Sequence, residues 1–179
     1  MKKAVFLDRD GTINEDVGYI CSRDKLEFIP QSLEALRMLQ QEYTLFIVTN
    51  QSGVARGYFS EEDLVKFNKE FEEILSQEGI TIEKTYYCPL MGDEECCDCH
   101  NPSPLFLEQA KEEFTIDLKS SYVVGDHPHD VEFGQQVGAT TIYLLTGHGQ
   151  KHRKELVDIN PPHLIANNLY EATLWIIER

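Results

Sequence analysis

Residues 5–12 read VFLDRDGT, and they combine a short apolar run with two closely spaced acids. The apolar residues at 4–7 have the length of a buried parallel strand, and Gly11 marks where the strand gives way to a turn. Along a strand that stays extended, Asp8 and Asp10 point to the same side. Two carboxylates crowded at a strand end repel each other, and a divalent cation is the usual compensation. The alternative is a surface turn in which the acids accept backbone hydrogen bonds.

The composition fits one compact domain and excludes several classes of protein. A chain of 179 residues, 41% hydrophobic and 26% charged, has room for a sizeable core, so we expect a single domain over residues 1–179. The formal net charge of −15 argues against binding to nucleic-acid backbones, which requires a basic face. No apolar run approaches the roughly 20 residues that span a bilayer, and no signal-peptide pattern is present. We therefore expect a cytoplasmic protein without nucleic-acid or membrane partners, monomeric rather than oligomeric.

The order of predicted elements indicates a doubly wound α/β fold. Apolar runs predict strands after the first at residues 44–48, 80–87, 121–124 and 140–145. Capped or amphipathic stretches predict helices between these strands and a last helix over 169–177. Strands that are apolar throughout and alternate with helices are typical of a parallel sheet covered on both faces. We predict a three-layer sandwich with a central parallel sheet, in a chain too short for a large cap domain.

Polar residues follow three of these strands. The three clusters are Asp8 with Asp10, Thr49 with Asn50, and Asp126 with Asp130. Ligands of doubly wound sheets bind at the carboxyl ends of the strands. Three polar clusters at equivalent strand ends therefore favour a metal-dependent phosphate site over surface turns.

These clusters resemble the sequence motifs of the haloacid dehalogenase (HAD) superfamily. The matching stretches are residues 8–12 (DRDGT), residues 48–53 (VTNQSG) and Gly125-Asp126 with Asp130. The sequence is most similar to the branch that contains the heptose-bisphosphate and histidinol-phosphate phosphatases. The similarity extends over most of the chain through Asn14, Gly18-Tyr19, residues 55–57 (ARG), Tyr87-Cys88-Pro89, Cys97-Asp98-Cys99 and Thr146-Gly147.

The resemblance implies a phosphatase mechanism for the acidic residues. Asp8 would be the nucleophile that forms an aspartyl-phosphate, and Asp10 would be the general acid and base. Mg²⁺ would be held by Asp8, Asp126 and the backbone carbonyl of Asp10, with Asp130 orienting Asp126 or the metal's waters. The implied substrate is a small sugar phosphate such as D-glycero-D-manno-heptose 1,7-bisphosphate, with histidinol phosphate as the alternative.

The resemblance also implies which residues bind the substrate. Thr49 and the backbone amides after it would hold phosphate oxygens, and Arg56 would contact the substrate outside the phosphate pocket. The implied substrate-binding residues are Asn50, Gln51, Ser52, Arg56 and His127. His148, near the end of the fifth predicted strand, is interpreted as a loop histidine without a role.

Two basic residues of the family pattern are replaced in this chain. Residues 100–104 read HNPSP, so Asn101 occupies the catalytic position of a lysine, and His127 replaces the basic residue that usually follows Gly-Asp. A cation facing a phosphoryl-transfer transition state contributes on the order of 10³-fold or more in rate. A histidine at position 100 or 127 supplies a full charge only below roughly pH 6.5. The sequence thus leaves open a slow enzyme, an acid-shifted enzyme, and a phosphate-binding protein without turnover.

Four cysteines lie close together in a loop around residues 88–100, at Cys88, Cys96, Cys97 and Cys99. In a cytoplasmic chain such a cluster favours a metal site over a disulfide framework. The related branch holds structural zinc with a Cys-x-His pair and a later Cys-x-Cys pair, but here the first pair lacks its histidine. We predict that Cys96 completes a tetrahedral Cys₄ zinc site, with His100 as the alternative fourth ligand. Reduced thiols without a metal are the other interpretation.

Overall fold

The computed structural model describes residues 1–90 and 103–179, which form a six-stranded parallel sheet between two layers of helices. The strands are β1 (Ala4–Leu7), β2 (Thr44–Asn50), β3 (Lys84–Cys88), β4 (Tyr122–Gly125), β5 (Thr140–Leu144) and β6 (Leu164–Ala166). The helices are α1 (Ser32–Leu39), α2 (Glu61–Gln77), α3 (Leu105–Phe114), α4 (Pro128–Gln136), α5 (Gly149–His152) and α6 (Leu169–Ile177). This arrangement confirms the predicted doubly wound α/β sandwich.

The strand order places β1 at the centre of the sheet. The order is β3-β2-β1-β4-β5-β6, and every neighbouring pair is parallel. The chain moves outward from β1 through β2 to β3 and then returns to pair β4 with the other side of β1. The reversal creates a crevice between the carboxyl ends of β1 and β4, where doubly wound sheets bind their ligands. The fold therefore predicts a ligand site between the loops that follow these two strands.

Each face of the sheet is covered by its own hydrophobic core. Val5 and Leu7 of β1 point to the core that contains α1, α2 and α6, whereas Ala4 and Phe6 point to the core that contains α3 and α4. This alternation follows from the two-residue period of a strand. All four side chains are fully buried, which is why the strand is apolar throughout.

Several predicted boundaries differ from the observed ones. The third strand begins at Lys84 rather than at residue 80, because Ile80 is buried as the residue that packs after the end of α2. Strand β6 was not predicted, since three residues are too few to establish a period. The last helix has the predicted bounds, and a capping box between Ser60 and Asp63 begins α2.

No large cap domain covers the crevice among the described residues, as the length of the chain predicts. In the same two segments, 1–90 and 103–179, we find no helix with the length and apolar character needed to cross a membrane.

Candidate active site

A cavity of about 530 Å³ opens at the carboxyl ends of β1, β2 and β4. It brings together all three polar clusters predicted from the sequence. Its wall is formed by Asp8, Asp10, Asp16, Gly18, Tyr19, Thr49, Asn50, Gln51, Ser52, Asp126, His127, His129, Asp130 and His148. The site is thus assembled from residues distant in sequence, at the crevice that the strand order creates.

Three carboxylates meet at the base of this cavity. One oxygen from each of Asp8, Asp126 and Asp130 lies within 4.8 Å of the others. Burial raises the pKa of Asp126 to about 8 and that of Asp130 to about 7, and the charge of Asp130 adds to the effect at Asp126. Burial and the charges of the neighbouring acids also raise the pKa of Asp8 well above its usual value. Since Mg²⁺ prefers carboxylate oxygens and offsets their repulsion, this donor set fits a magnesium ion.

Backbone amides hold two of these carboxylates in place. The His148 N–H donates to Oδ2 of Asp126 at 2.6 Å, and the His127 N–H donates to Oδ2 of Asp130 at 3.0 Å. The second bond also caps α4, where an acid in the first turn is stabilised by the helix dipole. Both carboxylates therefore have fixed orientations before any ligand binds.

Two glycines allow Asp126 to approach the β1 loop. Gly11 has a φ of +84°, and a Cβ atom at this position would overlap Oδ2 of Asp126. Gly147 has a φ of +51°, and its Cβ would overlap the same oxygen and the Gly11 Cα. The loops are also joined by the Thr146 hydroxyl, which donates to the Gly11 carbonyl at 2.6 Å. The DRDGT and Thr-Gly motifs thus both serve to pack two loops around one carboxylate.

We predict that Gly11→Ala lowers the free energy of unfolding by more than about 2 kcal/mol and strongly reduces activity. The left-handed backbone costs about 1 kcal/mol for alanine, and displacement of Asp126 adds to it. Gly79→Ala is the matched control, since Gly79 has a φ of +73° and a Cβ atom there would have no other atom within 4 Å. Urea denaturation of both variants measures the difference. Equal losses would show that Asp126 does not limit the space at Gly11.

Asp10 is held by three side chains. Arg9 donates to it from Nε at 3.2 Å and from Nη2 at 2.8 Å, and Asn14 donates from Nδ2 at 2.9 Å. Gln51 Nε2 donates to Asp10 at 2.7 Å and to the Thr49 hydroxyl at 3.0 Å. Gln51 therefore connects the polar clusters of β1 and β2, and the carboxylate of Asp10 has one defined orientation.

Arg9 is the structural support of this network, and the sequence did not single it out. Its side chain is 1% exposed. The guanidinium lies 5.0 Å from the Phe67 ring centre and 5.9 Å from that of Phe71, and its Nη1 donates to Asn68 at 2.8 Å. A buried arginine requires both an anion and further partners: Asp10 is the anion, and α2 supplies the other partners. The position of Arg9 between two acids indicates an ion pair, but the sequence does not reveal that helix α2 encloses the guanidinium.

The remaining substrate-binding residues predicted from the sequence are divided between the cavity and its surroundings. Asn50 and Ser52 line the cavity with Gln51. Arg56 is exposed, and its guanidinium lies 5.9 Å from the ring centre of Tyr19, itself a residue of the cavity wall. Its placement agrees with a position outside the phosphate pocket, and its role stays a prediction.

His127 lines the cavity but does not replace the missing basic residue at neutral pH. Burial, together with the charges of His152, His129 and His148, lowers the pKa of His127 to about 4. The ring is therefore neutral at pH 7, and it supplies a full charge only at a lower pH than the roughly 6.5 expected of an unperturbed histidine. His148 was interpreted as a loop residue without a role, but it lines the cavity and its backbone holds Asp126.

The predicted zinc site lies largely outside the described residues. Cys88 is the last residue of β3 and is fully buried. Cys96, Cys97, Cys99 and His100 fall between residues 91 and 102, as does Asn101. Cys88 is disulfide-bonded, which contradicts the prediction that its thiolate binds zinc. The other predicted zinc ligands and the catalytic position of Asn101 stay predictions.

Comparison with known proteins identifies the family. The model of the HAD-hydrolase-like family matches residues 98–172. A protein of Pasteurella multocida, named D-glycero-beta-D-manno-heptose-1,7-bisphosphate 7-phosphatase, is 45% identical over 154 residues, which cover 82% of this chain and 84% of that protein. The chain belongs to the HAD-like phosphatases.

Other relatives agree with this family across nearly the whole chain. The D-glycero-D-manno-heptose-1,7-bisphosphate 7-phosphatase of Chlorobaculum tepidum is 36% identical over 98% of this chain and 94% of its own length. The crystal structure of the D,D-heptose 1,7-bisphosphate phosphatase of B. bronchiseptica, complexed with magnesium and phosphate, superposes with a TM-score of 0.85 at 29% identity and covers 98% of both chains. The HAD-like phosphatase fold of this chain is therefore shared with an enzyme that binds both ions.

Proposed function

We propose that this HAD-like phosphatase is a Mg²⁺-dependent phosphomonoesterase that hydrolyses a heptose bisphosphate through an aspartyl-phosphate at Asp8. The observation that carries the proposal is the meeting of Asp8, Asp126 and Asp130 within 4.8 Å in one cavity, beside a fixed Asp10. The substrate class follows from the names of the relatives, several of which are heptose-1,7-bisphosphate 7-phosphatases. Both α- and β-anomeric activities occur among those names, so the anomer is left to experiment.

In the first step, a carboxylate oxygen of Asp8 attacks phosphorus and the bond from phosphorus to the sugar oxygen breaks. Asp10 transfers its proton to the leaving oxygen, so the sugar departs as a neutral alcohol. The result is an acyl phosphate on Asp8, which splits one difficult displacement into two easier ones. Arg9, Asn14 and Gln51 fix Asp10, so the proton is delivered from one position.

In the second step, Asp10 accepts a proton from water as the water oxygen attacks phosphorus. The acyl phosphate bond breaks, inorganic phosphate leaves and the Asp8 carboxylate is regenerated. The Thr49 hydroxyl and the backbone amides after β2 would hold the phosphate oxygens during both steps. Asp8, Asp126 and the Asp10 carbonyl, with Asp130 beside them, would hold Mg²⁺, whose positive charge would offset the repulsion between carboxylate and phosphate.

Asn101 in place of the family's lysine is expected to limit the kcat of this enzyme. Asn101→Lys is expected to raise kcat at pH 7 by roughly 10-fold or more, because the resemblance implies a catalytic lysine at this position and His127, with a pKa of about 4, is neutral at this pH. Asn101→Gln is the matched control, since it adds length but no charge. Initial rates with Mg²⁺ test this, and equal rates for all three proteins would show that the lysine position is not limiting.

The substrate is tested by measuring phosphate release from both anomers of D-glycero-D-manno-heptose 1,7-bisphosphate and from histidinol phosphate. We expect kcat/KM for one heptose anomer to exceed that for histidinol phosphate by at least about 10-fold. A preference for histidinol phosphate would overturn the substrate assignment. No phosphate release from any of them, together with measurable binding, would instead identify a phosphate-ligand-binding protein.

A further inference from the structure

Three histidine rings gather beside the cavity, and two of them, His127 and His148, line it. His127 precedes α4, while His148 and His152 lie four residues apart on the turn that forms α5. The His152 N–H donates to the His148 carbonyl at 3.0 Å, so the two rings project from the same side of one helical turn. One ring nitrogen from each of the three histidines lies within 4.8 Å of the others.

The distances within this cluster suit a tetrahedral metal ion. His127 Nε2 and His148 Nδ1 are 3.4 Å apart. Two imidazole nitrogens bound to Zn²⁺ at about 2.0–2.1 Å are separated by roughly 3.4 Å in a tetrahedron. The ring centres of His127 and His152 are 4.5 Å apart, so the third ring closes the triangle.

Two carboxylates lie close to the nitrogen atoms of these histidines. Glu155 Oε1 lies 2.7 Å from His152 Nδ1, which fixes the proton on that nitrogen and leaves Nε2 with its lone pair. A carboxylate that orients a ligating histidine in this way is a regular feature of protein metal sites. Asp16 Oδ2 lies 3.5 Å from His148 Nδ1, where an oxygen is available as a further ligand. Both acids also offset the charge of a divalent ion.

We propose that His127, His148 and His152 form a binding site for a divalent transition metal of the zinc class, separate from the carboxylate site of Asp8, Asp126 and Asp130. Imidazole nitrogens select zinc, cobalt, nickel or copper over magnesium, whereas the carboxylate group selects magnesium. His127 and His148 both line the cavity, so a coordination position of this ion faces the space where substrate binds. A metal ion bound here would add positive charge beside the cavity. One of its ligands, His127, occupies the position where the family has a basic residue.

Co²⁺ titration of the full chain tests this site, because tetrahedral Co²⁺ absorbs strongly in the visible range. Excess Mg²⁺ keeps the carboxylate site occupied, and any metal bound by the cysteines is common to all variants. We expect His152→Gln to bind one equivalent fewer, or to bind Co²⁺ at least about 10-fold more weakly, than the wild type. Lys151→Gln, an exposed change on the same turn, is the matched control and should bind like the wild type.

A second variant tests whether Glu155 orients His152, without removing any of the three metal ligands. Glu155 is exposed, so Glu155→Gln leaves the core intact, and we expect it to weaken Co²⁺ binding by about 10-fold. Circular dichroism confirms that both variants are folded. Identical stoichiometry and affinity in the wild type, His152→Gln and Glu155→Gln would overturn the proposal and leave the cluster as hydrogen-bonded imidazoles only.

Discussion

Asp8→Asn is expected to lower kcat for phosphate release by about 10³-fold or more while the protein stays fully folded. An amide cannot form the acyl phosphate, so the loss falls on chemistry and not on substrate binding alone. The same change removes one of three buried acids that repel each other, and burial already raises the pKa of Asp8. Without added metal, we therefore expect the melting temperature of Asp8→Asn to equal or exceed that of the wild type.

Paired measurements of kcat and melting temperature check this prediction. Asp158→Asn is the matched control, since Asp158 is exposed and does not line the cavity. It should alter neither quantity. Turnover that survives in Asp8→Asn would eliminate Asp8 as the nucleophile, and a large fall in its melting temperature would mean that the activity loss reflects unfolding instead.

Arg9→Leu should cause the largest loss of stability among single substitutions near the site. It leaves Asp10 without its charged partner and removes a hydrogen bond from Asn68, both in a largely buried region. Breaking a buried ion pair by removing one partner costs about 3–5 kcal/mol. For a chain of this size, that corresponds to a fall of roughly 6–20 °C in melting temperature.

Arg37→Leu is the control for this substitution. Arg37 also pairs with an acid, Glu78, but both side chains are more than 40% exposed. Such surface pairs contribute about 0–1 kcal/mol, so the control should melt within a few degrees of the wild type. Arg9→Lys should not restore stability, because a lysine lacks the planar fork that bonds Asp10 and Asn68 together. Equal effects at positions 9 and 37 would contradict the structural role assigned to Arg9.

The fold and the acidic centre could be predicted from the sequence because their signals are local. Buried parallel strands are short apolar runs, and the carboxylates follow them directly, as Asp8 and Asp126 do. Parallel strands end at one edge, so three polar clusters at strand ends imply one site without knowledge of the strand order. The order itself then places β1 and β4 next to each other and explains why their acids meet.

The remaining features depend on contacts between distant segments. The sequence shows Phe67 and Phe71 on the apolar face of a helix, but not that they enclose Arg9. His148 and His152 have helical spacing, yet their meeting with His127 depends on how two loops pack. Burial and the neighbouring rings lower the pKa of His127 to about 4, so this side chain becomes a cation only at a lower pH than the sequence alone suggests.

Direct detection of phosphorylated Asp8 tests the central claim most sharply. The enzyme is quenched during turnover with its sugar bisphosphate and Mg²⁺, and borohydride then reduces any acyl phosphate to the corresponding alcohol. Peptide mass spectrometry of residues 1–23 locates the change. The mechanism predicts homoserine at position 8 in the wild type and no change at this position in Asp8→Asn. Wild-type turnover without modification of Asp8, or with reduction at another carboxylate, would contradict it.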